Sequence, residues 1–231
     1  MFSPHHRLNN CIKLERWLDN NSGNFSEDVA KGHNRYHYAL LHKLKSAQKH
    51  LENLRDVLTN TDASTVLPNS EEFLQKVNMS LDSFFYCCGS ALDILAREIL
   101  VYFGLPLTGN IYFHVAHLRI SQSRPGDPIL QKLEKPAWKD EFSNYRNALT
   151  HEVLIAGNFS IQFNATGRTH EKTIIFPLPD DPRADIEDRT FRRNTDSLEY
   201  CNLTFQRILS LINQIYGEIE SRARAQNSLP L

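Results

Sequence analysis

Between Glu27 and Asn60 the chain contains no proline, and apolar side chains recur at Tyr36, Leu40, Leu44, Ala47, Leu51, Leu54 and Leu58, at every third or fourth position. That spacing puts them on one face of a single long amphipathic helix. The stretch Asp62-Ala63-Ser64-Thr65-Val66-Leu67-Pro68 breaks it, and Asn69 with Glu72 three residues on predicts the start of a second helix. This one runs to about Phe103, with Leu74, Val77, Leu81, Phe84, Cys88, Ala91, Leu95 and Ile99 along a stripe flanked by Phe85, Leu92 and Ile94. So wide a stripe implies burial on more than one side. Gly104 and Pro106 end it, because glycine accepts a left-handed cap and proline cannot continue the hydrogen-bond ladder.

A shorter helix is predicted from Ile111 to about Ile120, then a turn at Ser123-Arg124-Pro125-Gly126, with Asp127 as an N-cap and Pro128 at the first helical position. After Pro136 a helix carries Trp138, Phe142, Tyr145 and Leu149 toward the core. From Val153 the period changes. Phe159, Ile161 and Phe163 alternate with Ser160 and Gln162, and Thr173 to Phe176 is β-branched or aromatic, which predicts a β-hairpin with Asn164 to His170 as its loop. Prolines and acids crowd Pro177 to Asp188, and a last helix from about Thr195 carries Leu198, Cys201, Phe205, Ile208, Leu211, Ile212 and Ile215. The expected fold is mainly α, a bundle of about five helices with a small β-hairpin before the last. It is read as one domain over 1–231, with an N-terminal extension (1–25), the hairpin insertion (153–177), a linker (178–188) and a polar tail (225–231).

Composition narrows the chemistry. The 231 residues are 41% hydrophobic and 23% charged, ordinary globular usage, and the formal net charge of -1 leaves no basic excess to steer the whole surface toward nucleic acid. Any RNA contact must come from a local site. No apolar run follows the positive charges near the start, and none approaches the roughly 20 residues needed to span a bilayer, so a cytoplasmic chain without a membrane partner is expected. Cys11, Cys87, Cys88 and Cys201 lack Cys-x-x-Cys spacing and read as reduced core thiols.

The candidate chemistry lies in Tyr145-Arg146-Asn147-Ala148-Leu149-Thr150-His151, which closes the helix before the hairpin. Positions four apart on a helix lie about 40° apart around its axis, so Asn147 and His151 share a face, with Arg146 about 100° to the side of Asn147. An amide, an imidazole and a guanidinium are thus presented together. Cleavage of RNA by its own 2′-hydroxyl needs a group to take that proton, one to protonate the departing 5′-oxygen, and a cation for the phosphorane. Histidine, with an intrinsic pKa of about 6.5, serves either proton role, and a guanidinium matches phosphate oxygens.

Arg-Asn followed by a His five residues beyond the Arg resembles the signature of the HEPN family (higher eukaryotes and prokaryotes nucleotide-binding), and Ser90-Ala91-Leu92-Asp93 looks like that family's second helix. The family's spacing is looser, four to six residues between Arg and His, and Arg35 with His42 meets it too, but Tyr36 rather than an Asn follows Arg35 and no helix end is expected there. The resemblance implies a metal-independent endoribonuclease of the toxin or defence type, with Arg146 and His151 catalytic and Asn147 supporting. It also implies a homodimer, because one imidazole cannot act on both sides of the phosphorus, an RNA substrate, and no cofactor. Asp82 and Asp93, with Tyr86 on the same stripe, are candidates to face the motif, alongside Tyr145 before it. A cognate antitoxin is implied as a partner, although Glu152-Val153 lacks the Tyr that family members paired with a nucleotidyltransferase often carry two residues after the His. The alternative is a non-catalytic HEPN module binding nucleotide, RNA or a partner, since a His at a helix C-terminus is also favoured by the helix dipole.

Two histidine pairs, His33 with His37 and His114 with His117, have spacings that can share a metal on a helix, but no third ligand is evident near either and they read as surface or half-buried side chains. Arg183, Arg189, Arg192 and Arg193 alternate with Asp180, Asp181, Asp185, Glu187 and Asp188, the pattern of a solvated mixed-charge face. Arg168, His170 and Lys172 form a smaller basic spot on the hairpin.

Overall fold

The computed structural model describes residues 8–60, 70–134, 137–151, 160–166 and 169–230. Among them are seven helices: α1 (Asn9–Asn20), α2 (Glu27–Asn60), α3 (Ser70–Tyr102), α4 (Phe113–Ser123), α5 (Ile129–Leu133), α6 (Ala137–His151) and α7 (Ser197–Gln226). β1 (Ser160–Thr166) and β2 (Thr169–Ile175) form the hairpin before α7, while β3 (Pro177–Leu178) pairs with β4 (Thr195–Asp196). The protein is therefore a mainly helical bundle with a small antiparallel hairpin; the short helix α1 is the addition to the expected elements, and α5 follows the expected start at Asp127 and Pro128. No described helix is long and apolar enough to cross a membrane.

The long helices follow their apolar periods. In α2, Leu40, Leu44, Ala47, Leu51, Leu54 and Leu58 are all buried, and in α3 the wide stripe from Val77 to Ile99 is buried with Phe85 and Leu92. Acids in the first turns, Glu27 and Asp28 of α2 and Glu71 and Glu72 of α3, complement the helix dipoles. Gly104 ends α3 at φ +63°, and the Leu105 amide donates back to the Leu100 carbonyl at 2.8 Å, a Schellman closure that needs the left-handed residue. The expected helix start at Asn69 and the break at 62–68 lie outside the described residues.

Two compact units divide the chain, one gathering 1–45, 88–136 and 206–231 and the other 46–87 and 137–205. In the first, α1 buries Cys11, Leu14, Trp17 and Leu18, so the N-terminal extension contributes a helix to the core. Asn10 fastens it to α7: its amide donates to Asn213 Oδ1 and its side-chain nitrogen to the Asn213 carbonyl, both at 2.9 Å. Leu229, in the stretch expected as a polar tail, is buried and bridges to Phe25. Asp127 caps α5 as expected, accepting from the Ile129 amide at 2.9 Å, and pairs with Arg222 of α7.

The second unit is built on aromatic side chains. Phe85 of α3 stacks on Phe142 of α6 with ring centroids 5.6 Å apart, and Tyr145 meets Tyr200 of α7 edge-on at 5.1 Å. Each such pair adds about 0.5–1.5 kcal/mol beyond its burial. The hairpin strands reach further than the predicted loop allowed: Asn164 pairs with Glu171, Ala165 with His170 and Thr166 with Thr169. Continued antiparallel pairing there satisfies backbone groups that a seven-residue loop would have left to water. The hairpin's expected beginning, 153–159, and Arg168 lie outside the described residues.

Candidate functional site

The heptapeptide forms the end of α6, whose buried face is Phe142, Tyr145 and Ala148. That burial fixes the rotation of the helix and decides what the motif presents. Arg146 is half-buried and Asn147 is exposed; His151 is the last helical residue, with its side chain outside the described set. Tyr145 is fully buried and its hydroxyl donates to the Pro179 carbonyl at 2.6 Å. Burial pushes this phenol well above its usual range, so it remains a proton donor to that carbonyl. Asp82 is exposed on α3 in the same unit as the motif, as is Tyr86, whereas Asp93 is half-buried and belongs to the other unit.

The carbonyl that Tyr145 holds opens the segment read as a linker, which is a loop closed by the short β3–β4 ladder. Asp180 organises it. Its carboxylate accepts from the Thr190 hydroxyl at 2.7 Å and from the backbone amides of Arg192 at 2.8 Å and Arg193 at 3.0 Å, and the Thr190 and Arg193 bonds lead in holding its pKa down at about 2. Arg193 also reaches Glu141 of α6 at 2.9 Å. The loop is therefore tied to the motif helix at two points. The arginine cluster is largely used internally: Arg183 pairs with Asp181, and Arg189 donates to the Ala184 and Pro182 carbonyls.

A second constellation, in the first unit, was only half visible in the sequence. The buried stripe of α2 continues past Leu40 to His37, which is 1% exposed, and His33. Their rings stack with centroids 4.5 Å apart. His37 Nδ1 lies 3.1 Å from Oε1 of Glu98, a fully buried carboxylate on α3, and its Nε2 lies 2.8 Å from Glu15 Oε1 and 3.6 Å from Cys11 Sγ, both on α1. The Tyr102 hydroxyl donates to Glu98 Oε1 at 2.7 Å and the Tyr216 hydroxyl to Oε2 at 2.6 Å. With those protons committed, the Tyr102 oxygen accepts from His33 Nδ1 at 2.6 Å.

A buried carboxylate without donors would be very costly. Here burial pushes Glu98 up, but its hydrogen bonds from His33 and His37 outweigh that and hold it ionised; burial pulls His37 down, and its bonds to Cys11, Glu15 and Glu98 lift it well above the usual imidazole range. Two sets of three ligand atoms, from Cys11, Glu15 and His37 and from His33, His37 and Glu98, lie within 4.8 Å of one another, so the third ligand not evident beside His33 and His37 in sequence comes from other helices. Among the described residues His114 and His117 join no such set. The legible signals were that His37 and His33 extend a leucine stripe by steps of three and four, and that Glu98 sits amid apolar neighbours.

Comparison with known protein families, with curated proteins and with solved structures finds no match.

Proposed function

We propose that the protein is a HEPN-type, metal-independent endoribonuclease, a cytoplasmic toxin or defence component that acts as a homodimer on RNA. The observation that carries this reading is the position of the Arg-Asn-x-x-x-His motif: it closes a helix of a mainly α chain, with Tyr145 anchored in the core and Asn147 at the surface beside it. His151 takes the proton of the attacking 2′-hydroxyl as the 2′-oxygen bonds to phosphorus. His151 of the partner subunit protonates the departing 5′-oxygen, leaving a 2′,3′-cyclic phosphate and a 5′-hydroxyl. The Arg146 guanidiniums bind the charge that builds on the phosphorane, and Asn147 orients the imidazole or the phosphate.

The exposed face of α3 at Asp82, in the same unit as the motif, supplies polar support in this reading, and a cognate antitoxin is the partner, the nucleotidyltransferase type being the less favoured. The purified chain is expected to degrade single-stranded RNA in the presence of chelator, at a temperature where it remains folded. His151→Ala should lower the rate by at least about 10²-fold, the lower end of what positioned acid–base groups contribute. Wild-type protein that binds RNA or nucleotide without cutting a varied panel would instead establish the non-catalytic module.

A further inference from the structure

We propose that Cys11, Glu15 and His37 bind a divalent cation of the zinc class, with Glu98 orienting His37 through its other ring nitrogen. Cys11 and Glu15 stand one turn apart on α1, and His37 faces them from α2. Bonds of about 2.0–2.3 Å to a tetrahedral zinc place sulfur, nitrogen and oxygen ligands about 3.3–3.7 Å from one another. The Cys11 Sγ to His37 Nε2 distance of 3.6 Å already meets that spacing. The 2.8 Å between Nε2 and Glu15 Oε1 has to open by roughly half an ångström to reach the spacing such bonds set. Glu15 is the ligand able to move, its side chain being 24% exposed while that of His37 is 1% exposed.

The shell behind the ligands is the stronger part of the argument. A metal-binding histidine commonly donates its second ring nitrogen to a carboxylate, which fixes the tautomer and turns the other nitrogen to the metal. Here Nδ1 faces Glu98, itself held by the Tyr102 and Tyr216 hydroxyls, and Nε2 is the nitrogen turned to Cys11 and Glu15. The alternative trio of His33, His37 and Glu98 fits less well, because a cation there takes the same Nδ1 and displaces tyrosine hydroxyls from Glu98.

A thiolate, an imidazole and one carboxylate suit zinc or cobalt, whereas magnesium and calcium take oxygen ligands alone. The dication takes the place of the proton shared by His37 and Glu15 and of the Cys11 thiol proton. Two protons for one dication leaves the net charge of a buried site unchanged. The ion pins α1 to α2 in the first unit and takes no part in the chemistry proposed for α6, so either proposal can fail while the other stands.

The full-length chain, stripped with chelator and dialysed, is titrated with Co²⁺ and then with Zn²⁺ in competition. Expected are one equivalent per chain, visible bands of a tetrahedral ion with a thiolate charge-transfer band in the near ultraviolet, displacement by Zn²⁺, and a melting temperature raised by about 5 °C at a hundredfold excess over Kd. Cys11→Ser should abolish the charge-transfer band and Glu15→Gln should weaken binding at least about tenfold, with His114→Ala as an unaffected surface control. No stoichiometric uptake, or a Co²⁺ spectrum lacking the thiolate band in the wild-type chain, overturns the assignment. The second readout holds even where a variant does not fold.

Discussion

Tyr145 lies within the motif yet its side chain points away from solvent, to the Pro179 carbonyl. Tyr145→Phe keeps the ring packing and removes the donor, leaving a buried carbonyl unsatisfied, so urea unfolding should show a loss of about 1–3 kcal/mol. Unchanged stability would mean that the bond is not made. Asp180 supplies a pH prediction. Its folded-state pKa, about 2, lies below its unfolded value, so its contribution is complete above pH of about 4 and is lost as pH falls toward 2. Melting temperature against pH should fall more steeply over that window in wild type than in Asp180→Asn; parallel curves would contradict the loop's dependence on this carboxylate. Neither role was legible beforehand. The sequence showed acids and arginines interleaved, but which carboxylate receives the turn's amides depends on backbone geometry that no spacing rule encodes.

At the level of elements, the three longest helices were legible because each carries many turns of a consistent apolar period, as did the helix that ends at the motif. α1 was missed: twelve residues with four buried ones give a weak period, and its attachment depends on Asn10, a polar residue with no hydrophobic signal. That attachment requires a small residue opposite. A Cβ at Gly217 of α7 would stand 2.5 Å from Asn10 Nδ2 and 3.2 Å from its Cγ. Gly217→Ala should therefore destabilise the chain by about 1–2 kcal/mol, the clash and the disturbed Asn10–Asn213 pair outweighing the roughly 1 kcal/mol that alanine gains in helix propensity. Thermal unfolding of this variant decides it, and a stabilised protein would show that Asn10 is free to shift. The buried histidines illustrate the same limit. Of the two read as surface or half-buried side chains, His33 is half-buried but His37 is fully buried in the core stripe of α2, and the partners that make its burial tolerable come from helices α1, α3 and α7, remote in sequence.

For the whole molecule, a net charge of -1 gives RNA no long-range attraction, so the proposed activity depends on a local arrangement contributed by two subunits. The motif was legible because it is contiguous. Of the two acids expected to face it from the second long helix, Asp82 falls in the motif's own unit and Asp93 in the other, a division that helical spacing along one stripe does not reveal. The most direct test is the end chemistry of RNA incubated with the wild-type chain in chelator, beside His151→Ala. Fragments ending in 2′,3′-cyclic phosphate and beginning with 5′-hydroxyl, absent with the variant, are the predicted result; intact RNA with a folded wild-type dimer, or equal cleavage by both proteins, would contradict it.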